Sequence, residues 1–378
     1  MITRTIGVEE EFLLVDALSG RPAPAADALL GEHRERAGVP DAADVDPGTE
    51  ALAGHVEREL TRQQIEIATP VTADLTELRR ALVDLRRQVA TSAADVGAMV
   101  LATATSPVAV DALITPSARY RRMTELYGLT AREQLTCGCH VHVSVESDEE
   151  AVGALDRIRP WLAALVALTA NSPFWQGQDT AYASYRSQVW GRWPTAGATA
   201  PFGSAAAYAQ CVTDLLDSGT ILDEGMVYFD VRLSRTYPTL EVRVADVALE
   251  VDDAVLVAAL AAALVETGAR AWREDRPPVP VRTELVRLAT WRASRSALDG
   301  DLVDVVERRP VPAATLLHRL VEHVRPALED AGRLDDVRDL LDQVLRRGNG
   351  AARQREAFRR SGRIHDVVAL LADRTVAP

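Results

Sequence analysis

The sequence predicts an α+β fold in which helices cover a mostly antiparallel sheet. Strand-like segments rich in β-branched residues concentrate in the first two-thirds of the chain, and the pattern from residue 252 onward is almost wholly helical. No internal repeat or low-complexity linker divides the 378 residues. We therefore expect one domain over residues 1–378, with a sheet-rich part at 1–250 and a helical C-terminal cover at 251–378.

The first strand carries acids on one face. In residues 7–14, GVEEEFLL, alternation places Val8 and Phe12 on one side and Glu9 with Glu11 on the other, while Glu10 faces away from that pair. Two carboxylates this close repel unless a cation or a shared proton lies between them. The pair therefore indicates a metal site or an acid/base dyad, and the solvated outer face of an edge strand is the alternative.

The other elements follow from periodicity and β-branched content. In chain order, the residues predict a surface loop with a short helix at 19–50, extended structure at 56–70, an amphipathic helix at 72–96, a buried strand in AMVLATATSP, a short helix at 116–127, a strand at 134–147, helices at 148–170 and 204–217, two antiparallel strands joined by the turn RTYP, and helices from 252. The apolar run at 254–265 is too short to cross a bilayer, so we expect a buried helix there.

Four strand-like segments place acid or imidazole among apolar residues. The residues concerned are Glu9 and Glu11, Glu66 in IEIAT, His140 with His142 in CGCHVHVSV, and Glu241 in LEVR. A sheet face that collected all of them would repel itself without cations. Carboxylate oxygens favour Mg²⁺, and the histidine shifts the preference slightly toward Mn²⁺. Zinc is disfavoured because there is no His-Glu-x-x-His motif and Cys137 and Cys139 should point away from the histidines.

Two residues stay undecided at this level. His142 fits a hydrogen-bonded core histidine as well as a functional one. Glu59 precedes Glu66 by an odd number of residues, so an unbroken strand would place the two on opposite faces. Only one of these acids joins the site unless the chain bends between them.

An aromatic-rich stretch at 171–197 is the second informative region. Its rings are those of Phe174, Trp175, Tyr182, Tyr185, Trp190 and Trp193, with Arg186 and Arg192 between them. Many rings and few aliphatic residues favour a ligand wall, and a packing loop is the alternative. The glycines of GNGAARQREAF at 348–358 are weak evidence for nucleotide contact, because no strand precedes them; helix capping by Gly348 and Gly350 is the commoner explanation.

Composition excludes several mechanisms. The net charge of −13 argues against a general nucleic-acid binder. All 42 basic residues are arginine, so neither a P-loop lysine nor Schiff-base chemistry is available, and phosphate must be bound by arginine or metal. The three cysteines suit a reducing compartment, and the acidic N-terminal residues do not resemble a signal peptide. We expect a cytoplasmic protein that binds neither nucleic acid nor membrane.

Several long motifs together resemble one family. They are GVEEEFLLVD, CGCHVHVSV, NSPFWQGQDTAYASYRSQVWGRWPTAG, TLEVRVADV with VDDAVLVAALAAALV, and GNGAARQR. The sequence is similar, from about residue 4 to about residue 372, to the glutamate–cysteine ligase type 2 family, the YbdK-like carboxylate–amine ligases. The resemblance departs at Cys139, where an aliphatic residue is usual, at Ala297, where glycine is common, and at Asn349, where threonine is common.

The resemblance implies a glutamine-synthetase-like fold, a curved antiparallel sheet whose concave face holds divalent metals and the phosphates of ATP, with helices on the other face. It implies that Glu9, Glu11, Glu66, His140 and Glu241 bind Mg²⁺ or Mn²⁺. It also implies that His140, Arg186 and Arg243 bind ATP phosphates and that the two arginines are catalytic.

The implied activity is ATP-dependent amide formation through an acyl phosphate. The implied substrates are a small carboxylate such as glutamate and a small amine, with cysteine as one candidate, and a homodimer is plausible by resemblance. Two alternatives stay open. One is a small-molecule phosphotransferase like the guanidino kinases, and the other is a non-catalytic protein that binds nucleotide or metal on the same scaffold.

Overall fold

The computed structural model describes residues 4–37 and 55–377. Its strands are β1 (Ile6–Asp16), β2 (His55–Arg58), β3 (Gln64–Ala68), β4 (Ala98–Leu101), β5 (Gly138–Ser144), β6 (Phe174–Trp175), β7 (Gln178–Asp179), β8 (Val231–Leu233), β9 (Thr239–Asp246), β10 (Asp301–Asp304) and β11 (Arg309–Pro312).

Helices occupy most of the remaining described chain. They are α1 (Ala26–Ala37), α2 (Leu75–Asp95), α3 (Ala118–Tyr127), α4 (Leu129–Arg132), α5 (Asp148–Ile158), α6 (Leu162–Thr169), α7 (Arg186–Trp190), α8 (Ala205–Asp217), α9 (Val251–Arg273), α10 (Thr283–Ser296), α11 (Ala313–Asp330), α12 (Leu334–Arg347), α13 (Gly350–Ser361) and α14 (Ile364–Thr375).

A seven-stranded antiparallel sheet forms the centre of the described chain. Six strands follow the order β2-β3-β1-β5-β9-β8, and β4 pairs with the far end of β1. Strand β1 is the longest and contacts three others, so its alternation sets the two faces of the sheet. The α+β class and the antiparallel pairing predicted from the sequence are confirmed.

Helices cover one face of this sheet. Val8 of β1 and Val141 and Val143 of β5 are buried in a core to which α5, α6 and α9 contribute. Helix α2 adds a buried ion pair on the same side, in which Arg86 donates to both carboxylate oxygens of Glu10, at 2.8 and 2.5 Å. Glu10 therefore faces away from Glu9 and Glu11, as the alternation predicts.

The longest apolar helix is internal. Among the described residues, α9 has the length and apolar composition of a membrane span, but 83% of its most apolar window is buried inside the protein. It packs against α5, α11 and α2. The predicted buried helix is confirmed.

The structure corrects some element boundaries. The helix predicted at 148–170 is divided into α5 and α6 by a 3₁₀ turn that contains Pro160, because proline interrupts the hydrogen bonds of a helix interior. The region after 252 is almost wholly helical with a break at Pro310 to Pro312, as predicted, but the break contains the β10–β11 hairpin, which the sequence did not predict. The helix predicted in 19–50 is α1, and residues 38–50 lie outside the described residues.

Ala297 gives a stability prediction. It follows α10 with a φ of +45° and is buried, a backbone conformation that glycine adopts without strain. Such strain costs about 1–3 kcal/mol, which exceeds the roughly 0.8 kcal/mol of one buried methyl group. We therefore expect Ala297→Gly to raise the free energy of unfolding by about 1 kcal/mol, measured by urea denaturation. Ala293→Gly, inside the same helix, should lower it by a similar amount.

Candidate active site

Strand pairing brings the predicted acids and histidines together. Glu11 lies directly across from Glu66 in the pairing of β1 with β3, and Glu9 lies across from His140 in the pairing of β1 with β5. Residues directly opposite in antiparallel strands share one face and lie in contact. His142 and Glu241 are opposite each other in β5 and β9, so all of them lie on the face of the sheet that is turned away from α5, α6 and α9.

The path of the backbone shows on which face of the sheet Glu59 lies. The extended segment is a hairpin of β2 and β3, and the chain turns between residues 59 and 63. This bend returns the side chain of Glu59 to the face of Glu66 and Glu11. Both Glu59 and His142, which alternation leaves undecided, therefore join the cluster.

Three groups of oxygen and nitrogen atoms are close enough to share a cation. In each group one potential ligand atom per residue lies within 4.8 Å of the others. The groups are Glu9, Glu66 and His140; Glu9, His142 and Glu241; and Glu11, Glu59 and Glu66. Because Glu9 and Glu66 each belong to two groups, the three positions form one continuous site.

The group of Glu11, Glu59 and Glu66 is electrostatically unfavourable on its own. Within the described chain, none of the three has an arginine or histidine nitrogen within 4 Å. Burial, with the charge of Glu59, raises the pKa of Glu11 to about 7. Burial and the hydrogen bond and charge of Glu59 raise the pKa of Glu66 well above its usual range. The fold thus keeps three acids together against their mutual repulsion.

The negative charges of Glu9 and Glu241, in contrast, are balanced by nearby histidine and arginine side chains. Burial alone would raise the pKa of Glu9, but hydrogen bonds from His140 and His142 hold it well below its usual range. Likewise Arg243 and Arg232 outweigh burial and lower the pKa of Glu241 to about 2. Burial and Arg243 lower the pKa of His140 to about 4, so this imidazole is neutral at pH 7 and can offer a lone pair.

Arg186 and Arg243 lie beside these acids, and both have N–H donors that form no hydrogen bond within the described chain. Arg243 bonds Glu241 through Nη1, and the Nε atoms of both arginines are buried without a hydrogen-bond partner in the described chain. Both guanidinium groups lie over the ring of Trp190, at 5.5 and 5.8 Å from its centroid. A Cβ on Gly138 would clash with the guanidinium of Arg186, so any larger residue at that point of β5 would displace this arginine.

Asp246 holds the Arg186 segment in place, a role that the sequence did not reveal. Its carboxylate accepts hydrogen bonds from the hydroxyls of Ser172 and Ser184, at 2.7 and 2.8 Å, and from the backbone N–H of Asn171, at 2.9 Å. It is five residues from Glu241, an odd spacing that predicts opposite faces. A β-bulge in β9 shifts the register, so Asp246 pairs with Gly138 and lies on the same face as the acids.

Glu9, Glu11, Glu59 and Glu66 line a cavity of about 270 Å³ with an aromatic wall. Trp190 and Trp193 contribute to it from the aromatic stretch, together with Tyr228, whose ring centroid lies 4.8 Å from that of Trp190. The ligand-wall prediction thus fits part of the stretch. Phe174 is buried in the core against Phe358.

Other positions singled out in the sequence have structural roles. Arg192 forms a surface ion pair with Glu133. In GNGAARQREAF, Asn349 caps α13 by accepting a hydrogen bond from the N–H of Ala352. Gly350 packs against the side chain of Asn171, where a Cβ would clash. The helix-capping interpretation is confirmed for Gly348, which ends α12 with a φ of +79°, but it is wrong for Gly350, the first residue of α13.

Solved structures share the fold. The bifunctional glutathione synthetase from Pasteurella multocida superposes with a TM-score of 0.69 at 16% identity, covering 99% of this chain and 52% of that chain. The glutamate–cysteine ligase from Francisella tularensis, solved in complex with AMP, superposes with a TM-score of 0.67 at 13% identity, covering 100% of this chain and 90% of that chain. The fold of this chain, an antiparallel sheet covered by helices, is shared with both structures, and the fold class predicted from the sequence is confirmed.

Relatives at higher identity place the chain in a family. "Putative glutamate–cysteine ligase 2-2" of Frankia alni is 54% identical over 374 residues, which cover 98% of this chain and 97% of the relative. "Putative glutamate–cysteine ligase 2-1" of Streptomyces avermitilis is 49% identical over 365 residues and 97% of both chains. The family model for glutamate–cysteine ligase family 2 (GCS2) matches residues 5–370. The chain belongs to this family.

Proposed function

We propose that this protein is an ATP-dependent carboxylate–amine ligase that activates its carboxylate substrate as an acyl phosphate. The observation that carries the proposal is a cluster of five acids and two histidines beside two arginines that have unpaired donors; four of the acids, His140 and Arg243 line one cavity. Membership of the glutamate–cysteine ligase family supports it. Glutamate is the first donor to test and cysteine the first acceptor, since the relatives are named for this pair.

The donor atoms fit divalent cations. Carboxylate oxygens, joined by one imidazole in two of the three groups, are the ligand set of Mg²⁺ or Mn²⁺. The buried Nε2 atom of His140 has no hydrogen-bond partner in the described chain, and Nε2 of His142 lies 3.2 Å from Glu9. Glu9, Glu11, Glu59, Glu66 and Glu241 would hold such ions with these histidines. Bound cations would neutralise and align the phosphates of ATP.

The two arginines suit the transfer of a phosphoryl group. As the substrate carboxylate attacks the γ-phosphate, charge spreads over the equatorial oxygens, and preorganised donors stabilise it. Arg243 is held by Glu241, and Arg186 begins a helix whose preceding segment is fixed by Asp246. Their orientation therefore costs little reorganisation during the reaction.

The aromatic wall protects the intermediate. The amine must attack the acyl carbon and release phosphate before water does so. Trp190, whose ring lies against both guanidinium groups, lines the cavity together with Trp193. They exclude water from the place where the acyl phosphate would form.

An isotope experiment tests the mechanism. With glutamate labelled with ¹⁸O in its carboxylates, cysteine and ATP, one labelled oxygen should appear in the released phosphate, because the oxygen bridging carbon and phosphorus leaves with phosphorus. The second labelled oxygen should remain in the amide carbonyl. Released phosphate without label, or release of AMP with pyrophosphate, would contradict the acyl phosphate. A stable phosphorylated product formed without amine would indicate a phosphotransferase.

The pKa of Glu11 predicts how divalent cations change stability with pH. Its folded-state pKa of about 7 lies above its unfolded value, so its contribution to stability is present below pH 4.5 and is lost as the pH rises through about 7. We expect the melting temperature in EDTA to fall between pH 5 and pH 8. Mg²⁺ or Mn²⁺ should largely prevent this fall, so that the stabilisation by the cation is greater at pH 8 than at pH 6.

Differential scanning fluorimetry across this pH range makes the measurement. Glu11→Gln is the informative variant, because it should flatten the metal-free pH profile. Glu77→Gln, on the surface of α2, should keep the wild-type profile. A cation effect independent of pH would argue that the acids are ionised before the cation binds.

A further inference from the structure

A second cavity lies next to the acidic one, behind Trp190. It measures about 190 Å³ and shares Trp190 and Arg243 with the first cavity. Its wall also includes Arg186, Asp230 and the α10 residue Arg287. A small molecule held there would lie beside both arginines assigned to phosphoryl transfer.

Unsatisfied polar atoms of both signs border this cavity. Within the described chain, the Nε atoms of Arg186 and Arg243 and the Oδ2 atom of Asp230 are buried and lack a hydrogen-bond partner. Arg186 is 2% exposed and Arg243 is 7% exposed. Buried donors and acceptors are normally paired. Phosphoryl transfer would use the two arginine donors, so among these three atoms it is Oδ2 of Asp230 that indicates a second ligand.

Asp230 supplies the negative charge. It precedes β8, and its backbone is fixed by hydrogen bonds from its N–H to Gly197 and from the N–H of Arg243 to its carbonyl, at 3.1 and 2.9 Å. In the described chain its carboxylate has no cationic nitrogen within 4 Å. Burial raises its pKa to about 6, against the attraction of Arg186 and Arg287. An ammonium group bound at this carboxylate would give it the cationic partner that it lacks among the described residues.

Arg287 supplies a positive charge at the rim. Its side chain is exposed, and among the described residues it has no carboxylate partner within 4 Å. Thr290 and Trp291 follow it by three and four residues, so all three lie on the same face of α10 and line the cavity. A carboxylate entering from solvent would meet this guanidinium.

We propose that this cavity is the subsite for the amine substrate, and that the substrate carries both an ammonium and a carboxylate group, as a free amino acid does. Asp230 binds the ammonium group and Arg287 binds the carboxylate. A purely anionic ligand would leave Asp230 unpaired, and a purely cationic one would meet three arginines. The assignment of this cavity as an acceptor site rests on the proposed ligase function. Binding of an amino acid there can be measured without turnover.

A binding experiment tests the subsite without catalysis. Isothermal titration of the full chain would compare three probes. L-2-aminobutyrate carries both an ammonium and a carboxylate group, butyrate carries only the carboxylate, and propylamine carries only the ammonium. We expect L-2-aminobutyrate to bind at least tenfold more tightly than either analogue. Equal binding of the three probes, or no binding of L-2-aminobutyrate, would overturn the proposal.

Two substitutions separate the charged groups. Asp230→Asn should weaken L-2-aminobutyrate and propylamine at least tenfold and leave butyrate unchanged, whereas Arg287→Gln should weaken L-2-aminobutyrate and butyrate and leave propylamine unchanged. Arg282→Gln, an exposed arginine near the start of the same helix, should change none of them. Unaltered binding of L-2-aminobutyrate by Asp230→Asn would contradict the assignment, even if the protein proves to be a ligase.

Kinetics distinguishes this inference from the proposed function. If ADP is released with an amino acid acceptor, Asp230→Asn should raise the KM of that acceptor at least tenfold and change the KM of ATP and of the donor less than twofold. A raised KM for ATP alone would assign the cavity to the nucleotide and overturn the inference. Absence of ADP release from the wild-type protein would contradict the ligase, and the titrations alone would then decide the subsite.

Discussion

Replacing Glu66 with glutamine is expected to lower kcat/KM for ADP release by about a hundredfold to a thousandfold, the cost of removing a preorganised electrostatic group. Glu66 belongs to two of the three groups that we propose to hold cations, so the substitution would remove a carboxylate oxygen from both. The same change should leave the metal-free protein as stable or more stable, because it removes a buried charge that repels Glu11 and Glu59.

Opposite effects on activity and stability make this test specific. ADP release is measured with saturating Mg²⁺, and the melting temperature is measured in EDTA. Glu274→Gln, an exposed acid after α9, serves as the control and should change neither quantity. A Glu66→Gln variant that is fully active would remove Glu66 from the site, and one that is unstable in EDTA would show that the carboxylate supports the fold itself.

Removing Arg86 should cause the largest loss of stability. This fully buried arginine binds both oxygens of Glu10 and the carbonyl oxygens of Ala248 and Leu249, which precede α9. Arg86→Met would leave the carboxylate of Glu10 buried without a partner, which costs about 3–5 kcal/mol. We expect that loss in the free energy of unfolding measured with urea.

A double substitution isolates the cause of this loss. Glu10→Gln with Arg86→Met removes both charges, so it should recover much of the stability lost in Arg86→Met alone. A loss below about 1 kcal/mol in Arg86→Met would contradict the buried pair. Such a result would mean that Glu10 does not stabilise the fold more than Glu9 or Glu11 does.

Alternation predicted the site wherever strands are regular. Glu9, Glu11, Glu66, His140 and Glu241 all lie in paired strands, where a period of two fixes the face of each side chain. Glu59 could not be assigned because the turn after β2 is not evident from hydrophobic pattern. Asp246 was missed because one bulge in β9 reverses its parity.

The remaining features depend on contacts between distant segments. Asp230 precedes a short strand and Arg287 lies on α10, and only the folded chain places them around one cavity. The β10–β11 hairpin was missed because Pro310 and Pro312 are typical of a break. Proline is tolerated there because the described chain pairs β11 on one side only.

The most direct test of the central claim is Mg²⁺-dependent ADP release across a matrix of carboxylates and amines, beginning with glutamate and cysteine. Products are identified by mass spectrometry, and Glu9→Gln serves as the inactive control. The ligase predicts ADP release that requires both substrates, yields their amide and is lost in Glu9→Gln. ADP release with a carboxylate alone that leaves a stable phosphorylated product, or turnover that Glu9→Gln does not reduce, would contradict it.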